Sequence, residues 1–202
     1  MTESEQLVTI VSGLPRSGTS LMMCMLESGG IPVLTDGVES ADEDNPQGYY
    51  EYEPVKKTKE DASWLRLASG KAVKVFYHFL CDLPPHYQYR VIFMRRSMSE
   101  VLASQKIMMN RRDKAARRVL LPADEKLVAL GELQIRECRE WAEGQKNVSI
   151  LEANYNELLA SPQEVLQSIN RFLGADLNMV SMARVIDAGL YRNRDWGDFG
   201  KI

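Results

Sequence analysis

The sequence predicts an α/β/α fold, a central parallel sheet with helices on both faces. Short apolar, β-branched runs at 7–11, 71–77, 89–94 and 148–151 alternate with segments of helical periodicity. The first run, LVTIV, is almost continuously apolar, as in a strand buried on both faces of a parallel sheet. A glycine-flanked turn joins it to a helix and so lies at the carboxyl end of a strand, where such sheets bind ligands.

Composition narrows the class. The chain has 202 residues, 45% of them apolar and 26% charged, which suits one domain over 1–202 with a full core. A net charge of -3 gives no general attraction to nucleic acid or to an anionic membrane, so neither is an expected partner. Cys24, Cys81 and Cys138 are widely spaced and odd in number, matching neither a disulfide framework nor a zinc site. That points to a reducing compartment. No apolar run reaches spanning length, and the acidic start MTESEQ is unlike a signal peptide, so a cytoplasmic protein is expected.

The elements follow in order. After strand 7–11 and its turn, Thr19 and Ser20 open a helix that is apolar all round through Leu21, Met22, Met23, Cys24, Met25 and Leu26. Gly29 and Gly30 end it, and 31–34 reads as a short second strand. The stretch 35–52 is long, polar and rich in carboxylates, and a long loop of this kind is usually functional. Pro54 suits the first turn of a helix that Gly70 ends. Strands at 71–77 and 89–94 follow. Ser97 with Glu100 reads as a capping box for a helix to about 110. The basic run 111–118 reads as a solvated face, and a helix at 124–143 leads to the strand at 148–151. Ser161 with Glu164 reads as a second capping box, with proline at the first helical position and Gly174 at the end. A last helix near 177–188 precedes a polar tail.

The turn GLPRSGTS carries the chemistry. Consecutive backbone N–H groups, a helix N-terminus and two hydroxyls form a phosphate cradle. Its spacing is that of the Walker loop, G-x-x-x-x-G-K-[ST], with Thr19 where the lysine stands and the cation moved to Arg16. The missing lysine normally reaches the β- and γ-phosphates, so the swap argues against ATP or GTP hydrolysis. It fits a ligand whose 5′ end needs a positive partner but has no γ-phosphate.

In these residues the chain resembles the sulfotransferases that use 3′-phosphoadenosine 5′-phosphosulfate (PAPS), whose 5′-phosphosulfate loop PRSGTS is similar to. The resemblance implies a P-loop fold of nucleotide-binding type. It also implies that Arg16, Ser17, Gly18, Thr19 and Ser20 hold the 5′ end, with no metal required. Arg96 at the exit of strand 89–94, and Ser104 eight residues on, match the family's 3′-phosphate pair. Arginine gives forked donors and serine a neutral one. NPQGYYE resembles a stretch found at this place in bacterial sulfotransferase-like proteins, and LEANYNELLASPQEVLQSINRFLG resembles the family's scaffold near its last strand. From the tail, Arg192, with Arg194, stands where the family's C-terminal basic segment reaches the 3′-phosphate, though its glycine-rich form is not reproduced.

The expected reaction is in-line sulfuryl transfer to a hydroxyl or amine of a small molecule or glycan, leaving 3′-phosphoadenosine 5′-phosphate (PAP). Arg16 neutralises charge at the leaving 5′-phosphate, and Lys74 assists at the leaving oxygen. Where cytosolic members carry a histidine two residues after that lysine, this chain has Phe76. The general base is therefore open. Glu39, in the loop after the first helix as in other branches, is the first candidate, with Glu51, Glu53 and His78 as rivals. Tyr49, Tyr50 and Trp64 line an acceptor pocket or pack. Two other readings stand beside this one, a P-loop nucleotide kinase or hydrolase and a non-catalytic protein that binds PAPS or PAP.

Overall fold

The computed structural model describes residues 7–39, 41–42, 45–112, 124–187 and 189. Five strands form one parallel sheet, β1 (Leu7–Gly13), β2 (Val33–Leu34), β3 (Ala72–Lys74), β4 (Gln88–Arg95) and β5 (Val148–Asn154). Their spatial order is β2-β3-β1-β4-β5. The helices are α1 (Thr19–Ser28), α2 (Leu65–Ala68), α3 (Met98–Arg112), α4 (Asp124–Glu143), α5 (Tyr155–Ala160), α6 (Pro162–Leu173) and α7 (Met179–Arg184). The expected three-layer α/β architecture is present.

Strand alternation divides the core in two. Val8 and Ile10 of β1 and Val91 and Phe93 of β4 face one layer, with Trp64, Leu65 of α2 and Ile135 of α4. Val11, Ile92 and Met94 face the other, against α1, α6 and α7. Met22, Met23 and Met25 of α1 are fully buried and fill that second layer.

Several boundaries differ from the sequence expectation. The helix expected from Pro54 to Gly70 is two short pieces, a 3-10 turn at Glu53–Lys57 and α2. Between them side chains take over backbone partners: Thr58 Oγ1 donates to the Val55 carbonyl and Asp61 Oδ1 accepts from the Ser63 N–H. Trp64 Nε1 donates to Thr58 Oγ1, which seats the indole in the core. The strand expected over 71–77 is cut to β3, with a 3-10 turn at Tyr77–Asp82 after it. Neither capping box forms. The Ser97 N–H donates to Asn156 Oδ1, and Ser161 caps α6 without a side-chain bond, leaving Pro162 and left-handed Gly174 to set its ends. The last helix starts late because Asn178 caps it, accepting from the Ser181 N–H. The basic segment beyond 112 and the tail from 190 lie outside the described residues.

The topology places the site. The chain leaves β1 through α1 on one face, and leaves β4 through α3 and α4, with α4 packed on the other. The loops after these adjacent strands diverge and open a crevice at their carboxyl ends. Among the described residues no helix is long and apolar enough to cross a membrane.

The β5–α5 junction tests how local this framework is. Asn154 ends β5 and caps α5, its Oδ1 accepting from the N–H groups of Asn156 and Glu157 at 2.9 and 3.3 Å. Asn154→Ala is expected to destabilise the protein by about 1 kcal/mol in urea denaturation, with Asn154→Asp keeping most of the stability.

Candidate functional site

The turn after β1 is held by two glycines that admit no side chain. Gly13 has φ 146°, and a Cβ there would lie 2.6 Å from Ser17 Oγ and 2.7 Å from the Met94 carbonyl oxygen. At Gly18, φ is 101° and a Cβ would lie 2.4 Å from the Tyr155 ring. Between them Arg16 takes the left-handed φ of 76°, uncommon outside glycine. Ser17 is buried, and its hydroxyl has no hydrogen-bond partner among the described residues.

From β4 a second set of side chains closes on this loop. Arg16 Nε donates to Ser104 Oγ at 2.9 Å across 88 residues of chain. Arg96 follows β4, with its side chain 8% exposed. Its Nη1 donates to the Arg16 carbonyl at 3.2 Å and its Nε to Glu100 Oε2 at 2.8 Å. The guanidinium lies over the Tyr155 ring, 4.6 Å from the centroid. Asn156 Nδ2 reaches both Glu100 oxygens at 3.2 Å. Gln105 Nε2 donates to the Pro15 carbonyl at 3.0 Å, so α3 grips the loop at a further point.

From β3 comes a third set. Lys74 is 6% exposed, and its Nζ donates to the Tyr49 carbonyl at 2.9 Å and to Ser20 Oγ at 3.3 Å. Glu51 Oε1 lies 3.7 Å from it, and Glu51 also pairs with Lys56 at 3.4 Å. Burial pushes the Lys74 ammonium below the ordinary lysine value of 10.5; Glu51 and Glu39 oppose that shift, and Arg16 adds to it.

These sets surround one cavity of about 530 Å³. Arg16, Gly18, Thr19, Ser20, Lys74, Arg96, Ser104, Glu39 and Glu51 all line it, as does Tyr49. Ser17 sits in the loop but does not contribute to the lining, and Arg192 lies outside the described residues. Two rivals for the base stand apart from it. Glu53 pairs with Lys56, and His78 is exposed, its ring beside those of Phe76 and Phe79, where partial desolvation lowers its pKa against the opposing pull of Asp82. Tyr50 donates to Glu27 Oε2 and Trp64 is core. Phe76, in the position two after Lys74, does line the cavity.

Sequence reasoning missed three contributors. Tyr155 lies in the segment that resembles scaffold, yet its ring packs against Gly18 and carries Arg96. Glu100, which the sequence places in a capping box, is the counter-ion of Arg96. Asn45, inside NPQGYYE, donates to Ser20 Oγ at 2.9 Å. Only the density of turn formers and aromatics around Asn45 signalled that its loop is built.

The residues present fit an anionic nucleotide. Gly13 and Gly18 let Ser17, Met94 and Tyr155 pack directly against the loop, and Arg16, Arg96 and Lys74 bring three cations to one cavity. Among the described residues no cluster of His, Cys, Asp and Glu is arranged to hold a metal.

No protein-family model matches the chain, and no curated protein matches it in sequence. Solved structures do match in fold. The sulfotransferase domain of an olefin synthase from Synechococcus PCC 7002 is 17% identical with a TM-score of 0.53, over 92% of this chain and 79% of that one. A sulfotransferase domain from the curacin biosynthetic pathway is 14% identical with a TM-score of 0.53, over 89% and 77%. A mouse sulfotransferase in complex with PAP is 19% identical with a TM-score of 0.50, over 90% and 62%. The chain has a sulfotransferase-like fold, and at these identities the likeness is one of fold.

The state of Lys74 gives a pH signature. Because its pKa is lowered in the fold, the burial penalty is present in full at pH values below the folded pKa. Between that pKa and the ordinary lysine value of 10.5 the unfolded chain holds a proton that the folded protein has lost, so stability rises with pH. In urea denaturation, wild type is expected to gain stability relative to Lys74→Met as pH rises through this alkaline window. A difference that stays flat with pH contradicts it.

Proposed function

We propose that this chain is a sulfotransferase that moves a sulfuryl group from PAPS to a hydroxyl or amine of a small-molecule or glycan acceptor, by in-line transfer. The observation that carries this reading is the contact of Arg16 with Ser104. It joins a phosphate loop lacking the Walker lysine to a second anion anchor, Arg96 with Ser104, at the rim of one cavity. Two phosphate sites this close suit a nucleotide phosphorylated at both ends of its ribose. The solved structures of similar fold, one of them holding PAP, support the same assignment.

PAPS supplies the sulfuryl group and a phosphate leaving group. The loop N–H groups around Gly18, with the Thr19 and Ser20 hydroxyls, bind its 5′ end, and Arg96 and Ser104 bind its 3′-phosphate. Arg16 places fixed positive charge beside the 5′-phosphate, where negative charge develops. Lys74 adds a second charge from the β3 side. That side also holds Glu39, which takes the acceptor's proton. We place the protein in the cytoplasm, where Cys24, Cys81 and Cys138 remain reduced thiols.

Calorimetry tests the donor. PAP is expected to bind without a metal, and Arg16→Ala and Ser104→Ala to weaken it by roughly tenfold or more. A preference for ATP with Mg2+ over PAP overturns the reading. The base is tested separately with labelled PAPS and an acceptor screen. Glu39→Gln is expected to lower kcat by about 10²–10⁴-fold and leave PAP affinity unchanged. Unchanged turnover across pH removes Glu39 from the role.

A further inference from the structure

We propose that Asn45 is a positioning residue for donor binding, acting by making the Ser20 hydroxyl an obligate hydrogen-bond donor. This rests on the sulfotransferase reading, in which Ser20 meets the 5′ end of the nucleotide. A serine hydroxyl has one hydrogen and two lone pairs, so it can accept or donate as its surroundings demand. Here both lone pairs are taken. Asn45 Nδ2 donates to Ser20 Oγ at 2.9 Å and Lys74 Nζ donates to it at 3.3 Å.

The orientation of the Asn45 amide is not in question, because the same Nδ2 lies 2.6 Å from the Gly48 carbonyl, which can only accept. Lys74 has no acceptor to offer. Ser20 is left with its hydrogen alone, and that hydrogen is directed to the Tyr49 carbonyl over a long 3.3 Å. The Tyr49 carbonyl also accepts from Lys74 at 2.9 Å, so it is a shared and weak partner for the hydroxyl. A phosphate oxygen in the cavity is a stronger, charged acceptor and takes the hydrogen over. The hydroxyl reaches its anion with no lone pair free to face it.

Asn45 itself is held in place by a self-bonded loop. Its N–H donates to Asp42 Oδ1 at 2.8 Å, and the Tyr49 hydroxyl donates to Asp42 Oδ2 at 2.8 Å. Gln47 Nε2 ties the loop to the Val185 carbonyl at 3.1 Å. From the wall of the cavity, Asn45 therefore delivers one donor to α1.

A double-mutant cycle read by PAP calorimetry tests this. Asn45→Ala is expected to weaken PAP about tenfold in the wild-type background and to have almost no further effect in Ser20→Ala. Unchanged affinity in Asn45→Ala overturns the inference while leaving the sulfotransferase reading intact. An equal loss in both backgrounds also overturns it, since a general effect on the loop does not depend on Ser20. If wild type itself fails to bind PAP, the sulfotransferase reading falls and this inference falls with it.

Discussion

A guanidinium buried at the carboxyl end of the sheet needs a partner on each side, and the partners Arg96 takes tie the site together. Burying the charge alone costs several kcal/mol, so Glu100, one helical turn on and more deeply buried, is the condition for Arg96 to be there. Asn156 then holds Glu100 from the junction of β5 and α5, and the face of Tyr155 carries the guanidinium. The Nη1 of Arg96 reaches across to the Arg16 carbonyl. One side chain thereby fixes the exit of β4, the start of α3, the start of α5 and the loop after β1 relative to one another.

The loop's conformation is consequently not a property of the loop. Arg16 takes a left-handed φ while its carbonyl is held by Arg96 and its side chain by Ser104. Gly18 is glycine because Tyr155, placed to support Arg96, occupies the space a Cβ would need. Backbone strain of this kind persists only when the surroundings over-determine it. Here those surroundings are 80 residues and more away in sequence.

That distance also decides what could be read from the chain. β1 and β4 were legible because a strand buried on both faces writes an unbroken apolar run, and the loop was legible because its glycines and hydroxyls stand at fixed local offsets. Arg96 and Ser104 were legible only through the resemblance to the sulfotransferase 3′-phosphate pair, an arginine at a strand exit and a serine eight residues on. Glu100 was not: a local rule assigned it to a capping box, whereas the buried charge beside it had the stronger claim. Likewise Pro54 correctly marked a turn, but Thr58, Asp61 and Ser63 drew backbone groups away from a continuous helix. Asn45 could not be placed at all from sequence, since its partner Ser20 is 25 residues off and its loop is shaped by its own side chains.

The same accounting separates the carboxylates on the β3 side. Glu51 has its oxygens taken up by two ammonium groups, Lys74 and Lys56, and serves as the counter-ion that lets Lys74 be buried. Glu53 is paired with Lys56 and does not itself line the cavity. Glu39 lines the cavity, lies within electrostatic reach of Lys74, and has no hydrogen bond or ion pair with another described residue. A group that must receive a proton from an acceptor needs an oxygen not already committed to a cation. Of the three, Glu39 alone meets that requirement, and Glu51 earns its burial by holding the charge that Glu39 faces.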